Sequence, residues 1–304
     1  MERSVKDRRV LLLVQAGLLV LLLTCLLKPP LAALAGADED EMPKGWFGKR
    51  KVVDKFGRLT RVALIHYEAG VIDVENPDGD ASADGYALLG VWWDLTKHRN
   101  GVPYIVNPSQ AVKSYGLSAD AVVNEIKSAL ESWDLAVDLS DHEVDYVAYP
   151  TCKDVGSPTT IKYTINLYDD NPTIDNKAKA STSRPDYKNV ITWGRAQPGV
   201  VAYAVIWYVS STGEIVDADI VLNSYYKWGI ADGDEATDDL KGKFDIRNIV
   251  THESGHWSGL DDIYESAYSA MTMYGYSSPG EEVKRSLEPG DVAGVQAVYA
   301  GLRQ

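Results

Sequence analysis

Residues 252–262 read HESGHWSGLDD, a spacing that suits a metal site carrying its own base. His252 and His256 stand four apart, with Glu253 directly after the first. On a helix, positions i and i+4 share one face, so both imidazoles can reach a single ion. Glu253 is turned by about 100° round the helix, where its carboxylate can face a water on that ion. Two nitrogen ligands and one general base are the parts of a zinc hydrolase. The bland alternative is two histidines on an ordinary helix, which leaves this spacing to chance in a chain with only 5 histidines. Gly259 lies three residues past His256, and Asp262 three past Gly259. Glycine takes positive φ without a Cβ penalty and commonly ends helices. A turn there would return the chain beneath the metal and let Asp262 be a third ligand.

The site needs a helix to carry it and a scaffold to seat it. FDIRNIVTHESGHW, 244–257, reads as the metal-bearing helix, with Asp245 as N-cap and Ile249 on the histidine face. A second helix opens near Leu117, where Ser118 suits an N-cap and Asp120 the first turn. Val122, Ile126, Ala129 and Trp133 then recur at helical spacing. Strand-like stretches are ALLGVWWDL, VPYIVNP at 102–108, IKYTINLY at 161–168 and KNVITWG at 188–194. VVAYAVIWYVS and EIVDADIVLN flank Ser211-Thr212-Gly213 and read as a hairpin. Polar loops fill 169–186 and 231–239.

HESGHWSGLDD resembles the extended metzincin zinc motif, with Asp262 in the last ligand place. That variant is seen in snapalysin-like and some prokaryotic matrixin-like peptidases. Asp261 is a competing ligand one place short of the motif's spacing. The order of segments also resembles matrixins over about residues 86–302. VPYIVNPSQ and the helix ending at Trp133 resemble the first strand and helix, and NVITWG and DADIVLNSYYKW resemble sheet strands. SAMTMYGYSS, 269–278, resembles the Met-turn, and KRSLEPGDVAGVQAVYAG resembles the closing helix. The resemblance implies an α+β fold: a twisted mixed five-stranded sheet with two long helices, then a small C-terminal subdomain. The catalytic domain would span 86–304, divided into 86–259 and 260–304.

The resemblance further implies a zinc endopeptidase acting on proteins or peptides. Glu253 would take a proton from the attacking water and pass it to the leaving amine. Met273 is the expected Met-turn residue, preferred over Met271, and Tyr276 a possible oxyanion contact. Gly275 stands where matrixins usually have proline. The remaining histidines, His66, His98 and His142, are widely spaced, so no second zinc is expected. Two other readings stay open. In one, Glu281 or Glu282 is the third ligand of a gluzincin-like site. In the other, the chain is a metal-stabilised surface-binding domain without activity, although binding alone needs no general base at Glu253.

Composition narrows the setting. The chain has 304 residues, 45% hydrophobic and 24% charged, ordinary for a globular protein. A net charge of −14 argues against nucleic acid or anionic membrane as the main partner. Arg3, Lys6, Arg8 and Arg9 precede the apolar run VLLLVQAGLLVLLLTCLL at 10–27, and small-residue cleavage candidates lie at 33–37. Residues 1–37 thus read as a secretory signal peptide, or as an uncleaved anchor with the working part outside. The expected protein is secreted or cell-surface, a monomer, touching membrane only through that segment.

Residues 38–85 read as an N-terminal extension, a possible propeptide with a linker, in which Lys49, Arg50 and Lys51 would suit trypsin-like cleavage. VALIHYEAGVIDV within it could be one or two strands. Cys25 and Cys152 are the only cysteines, so no intrachain disulfide framework is expected once the leader is removed. Calcium is a possible second cofactor, because Asp232, Asp234, Asp238 and Asp239 cluster in one loop, although a solvated acidic loop explains them as well.

Overall fold

The computed structural model describes residues 50–54, 57–71, 81–82, 84–98, 100–137, 143–148, 159–164, 166–232 and 239–300. The expected leader, Cys152, Asp234 and Asp238 lie outside them. The strands are β1 (Arg50–Val53), β2 (Leu59–Glu68), β3 (Ile105–Val106), β4 (Glu143–Ala148), β5 (Thr159–Thr164) and β6 (Thr173–Ile174), then β7 (Val190–Gly194), β8 (Val200–Val209), β9 (Ile215–Asn223), β10 (Trp228–Gly229), β11 (Phe244–Asp245) and β12 (Tyr276–Ser277). The α-helices are α1 (Ser109–Tyr115), α2 (Ala119–Val137), α3 (Ile246–Trp257) and α4 (Pro289–Val298). No helix among the described residues is long and apolar enough to cross a membrane.

The chain is α+β with a mixed sheet. Strand order is β1-β2-β8-β9-β7-β3-β6, with β12 beside β2. The sheet therefore has eight strands, not the five expected. Two of the extra strands, β1 and β2, come from the segment read as an extension, and β12 comes from the turn segment near the C-terminus. β2 runs antiparallel to β8 from Leu59↔Val209 to Tyr67↔Val200, so the sheet does not stop at residue 86. Its sequence explains why: LTRVALIHYE has β-branched or aromatic residues on both faces, and a strand buried on both sides needs apolar residues on both. Val62 and Leu64 join the core under the helices, while Ala63, Ile65 and Tyr67 pack on the opposite face with Tyr203, Val205 and Trp207. His66 follows Val62 and Leu64 in the period of two, which turns it toward the helices.

Other differences are local. Only the end of IKYTINLY meets the first-strand segment, through a parallel bridge of Tyr168 to Val102, while β5 pairs with β4 in a separate two-stranded ladder. The neighbour of β3 is instead β6, inside the expected polar loop. ALLGVWWDL forms only single bridges, Leu88 to Leu260 and Trp92 to Glu214.

Helix α2 begins where its cap was expected, with Ser118 Oγ accepting from Ala121 N–H at 3.1 Å. Its stripe of Val122, Ile126, Ala129 and Trp133 is fully buried, each position stabilising the domain by roughly 1.5–3 kcal/mol for the larger side chains. Trp133 Nε1 donates to the Thr251 carbonyl at 2.9 Å, tying α2 to α3 one residue before His252.

Candidate metal centre

Asp245 ends β11 and caps α3, its carboxylate accepting from Asn248 N–H at 2.9 Å. That fixes where the helix starts and which way its faces point. Almost every side chain of α3 is buried, including His252, Glu253 and His256 at 0% exposure. The helix stops after Trp257, and Gly259 takes φ 98°. A Cβ there would meet the Val91 carbonyl oxygen at 2.5 Å, so both the turn and the close approach require glycine. Leu260 N–H returns to the Gly255 carbonyl at 3.0 Å, and two residues later Asp262 is aimed back at α3. Asp261, the competing ligand, instead accepts from Asp262 N–H.

His252, His256 and Asp262 meet at one point. Nε2 of His252 is 3.2 Å from Asp262 Oδ1, and Nε2 of His256 is 3.5 Å from the same oxygen. Each imidazole is held from behind. Nδ1 of His252 donates to the Thr272 carbonyl at 2.7 Å, and Nδ1 of His256 donates to the Leu260 carbonyl at 2.9 Å. A carbonyl can only accept, so Nδ1 of each ring carries a proton, and Nε2 of each is the atom left to turn to Asp262 or, once it has shed any proton, to an ion. The three inward atoms are buried and have only one another for polar company. Buried lone pairs left without hydrogens carry a large penalty unless a cation joins them. Ligands about 2.0–2.1 Å from a tetrahedral ion stand about 3.3 Å apart, which the two measured edges bracket. These residues could hold a metal ion.

Electrostatics follow from this burial. Burial alone would lower His256, but the Asp262 carboxylate outweighs it and holds the imidazole up at about 9. Burial lowers His252 against the same carboxylate. Asp262 is pulled well below the carboxylate range by the two imidazoles, against its own desolvation. Glu253, whose two oxygens lack hydrogen-bond partners, is pushed up to about 8 by burial.

Met273 underlies the pair. Its side chain is buried, and its sulfur would lie 2.2 Å from a Cβ on Gly255, between the two histidines along the helix. The turn that carries it is pinned by Asp291, which accepts from Thr272 N–H at 2.9 Å and Met273 N–H at 3.1 Å. Tyr276 packs against the rings of Tyr67, Tyr264 and Tyr274. Glu281 is engaged elsewhere, with Lys284, Ser277 and Ser278 N–H, and Glu282 stands at the start of a short 3-10 turn, Val283–Arg285. In the acidic loop, Asp239 accepts from Asp232 N–H at 2.7 Å.

One residue of the site escaped the sequence. His66 lies on β2 with its ring centroid 3.8 Å from that of His252, and its Nδ1 3.5 Å from Glu253 Oε1. Its Nε2 meets Ser277 Oγ at 2.9 Å. The signal available was the alternation Val62, Leu64, His66, which puts a histidine on an otherwise apolar inner face. Compared with protein-family models and with curated proteins, the chain finds no match in either.

Proposed function

We propose that this chain is an exported zinc endopeptidase of metzincin type. The observation that carries the reading is the convergence of three buried ligand atoms, both imidazole nitrogens at tetrahedral edge lengths from the carboxylate oxygen, with Glu253 adjacent. Two imidazoles and one carboxylate, left with a further coordination position, are the donor set of catalytic zinc rather than of closed structural sites. Zinc bound there would supply Lewis acidity toward a peptide carbonyl and toward water.

The chain's own residues do the rest. His252 and His256 are fixed in one tautomer by the Thr272 and Leu260 carbonyls, so they offer lone pairs without rearrangement. Asp262 contributes the anionic ligand. Glu253 is the proton carrier: its buried carboxyl stands beside the ligand cluster with neither oxygen engaged, so it can accept a proton and return it to a leaving amine. Met273 and Asp291 hold the floor on which these groups stand.

The test is metal analysis together with casein and peptide-library cleavage, run on the full chain and on its limited-proteolysis products. One zinc per chain and chelator-sensitive cleavage are expected. Glu253→Gln should retain zinc while losing about 10²–10⁴-fold in rate. Zinc binding with no cleavage in any form would count against the reading. The complete burial of Glu253 is the observation that favours the other reading, a metal-stabilised domain without catalysis.

A further inference from the structure

A peptidase whose base is fully buried cannot admit a peptide, so whatever covers Glu253 matters. The cover is β2. Along one edge it pairs antiparallel with β8; along the other its first half pairs antiparallel with β1, Arg50↔Ala63 to Val53↔Thr60, and its last residues pair parallel with β12, Tyr276↔Tyr67 and Ser277↔Glu68. Tyr67 N–H donates to the Gly275 carbonyl at 3.1 Å, Ala69 N–H to the Ser277 carbonyl at 2.9 Å and Glu68 N–H to the Gly199 carbonyl at 2.8 Å. Without β2, β8 and β12 would face each other as open edges across the metal centre. Two open edges on either side of a gap are what an extended peptide adds to, through main-chain hydrogen bonds.

The ladder breaks at the position over the metal. The β2–β8 register shifts between His66 and Tyr67, and His66 turns its ring onto His252 and Glu253. Its partners hold it there. Lys284 Nζ donates to Ser277 Oγ, and Ser277 Oγ reaches Glu281 Oε1 at 3.2 Å, so Ser277 directs its proton to Glu281. His66 Nε2 is then the donor to Ser277 Oγ, and the buried Nδ1, without a hydrogen-bond partner, keeps its lone pair toward Glu253.

We propose that β2 is an inhibitory strand: Leu59–Glu68 fills the slot of an extended peptide substrate, and His66 shields the metal centre and its base. The proposal rests on the peptidase reading above. It also changes what activation requires. A trypsin-like cut at Lys49–Lys51 leaves β2 in the sheet, and the next basic residue after β2 is Lys97. Release therefore needs a cut between β2 and the start of the expected catalytic domain, at residues of another type.

The test is made in the full, zinc-loaded chain, with the recognition sequence of a site-specific protease substituted at 75–80. Acetohydroxamate binding reports access to the metal and does not depend on peptide hydrolysis. After the cut, and removal of the N-terminal fragment in mild urea, affinity should rise at least about tenfold, because an occluded site binds only through its open fraction. A synthetic peptide of residues 57–71 should reverse the gain. In the uncut chain, His66→Ala should also raise acetohydroxamate affinity at least about tenfold. Equal affinity before and after the cut overturns the proposal. So does unfolding or zinc loss once the fragment is gone, which would make β2 a permanent strand. Unchanged affinity in His66→Ala overturns the role given to that ring. An opened, hydroxamate-binding chain that hydrolyses no peptide supports the cover and defeats the peptidase reading.

Discussion

A Cβ on Gly255 would stand 2.2 Å from Met273 Sδ and 2.7 Å from Trp133 Cζ2. The methionine thus packs against bare helix backbone midway between Glu253 and Trp257, and α2 closes the same gap from the other side. Alanine at 255 gains roughly 1 kcal/mol of helix propensity. The overlap costs more, about 1–3 kcal/mol plus displacement of the metal floor. We expect Gly255→Ala to lower both Tm and zinc occupancy, and Met273→Ala in the same chain to restore part of each. Purely additive effects in that double-mutant cycle would show that the contact does not couple.

The floor is tied to a ligand through one carboxylate. Asp291 accepts from Thr272 and Met273 N–H, and the carbonyl of that same Thr272 orients His252. Losing such an outer partner typically costs 10–100-fold in metal affinity. Asp291→Ala should weaken zinc binding by about that factor, measured by competition with a chromophoric chelator, and Asp291→Asn by less. Wild-type affinity in Asp291→Ala would detach the turn from the metal site.

The pH response of the metal-free protein has a definite sign. His256 is raised to about 9 in the fold, so its contribution is fully present below about 6.5 and disappears as pH rises through 9. Glu253 is raised to about 8, so the fold also loses stability as pH climbs from the ordinary carboxylate range toward 8. Both act in the same direction. The Tm of chelator-treated protein should fall between pH 6 and pH 9. The Tm gain on adding zinc should grow over the same range, because ligands must shed protons to bind. A metal-free Tm that rises with pH in that window would falsify the assignment of protons.

Much of this site is legible in the sequence because its rules are local. His252, Glu253 and His256 follow from helical period, and Asp245 and Gly259 from capping and turn chemistry. Asp262 depends on the turn, and the turn on a glycine that any reader can see. His66 obeys a long-range rule instead: it reaches Glu253 only because β2 pairs with β8 far along the chain, and no local spacing announces that. The strand was legible in VALIHYEAGVIDV, but the basic residues before it and the acidic linker after it made it read as part of an extension and not of the main sheet.

As the third ligand of a bound zinc, Asp262 would set the acidity of the whole centre. Asp262 brings a negative charge where a histidine would be neutral, and two imidazoles at 3.2 and 3.5 Å already feel it. An anionic ligand makes a bound zinc a weaker Lewis acid, so water activated there loses its proton at higher pH. Histidine at 262 removes that charge and also the carboxylate that holds His256 up. In protein opened between β2 and residue 86, the acid limb of kcat/KM should therefore lie at lower pH for Asp262→His than for the wild type. The pH–rate profile of the free enzyme reads this directly. An acid limb at the same or higher pH in the variant would mean that the charge of Asp262 is not felt at the reacting centre, and that its place is geometric alone.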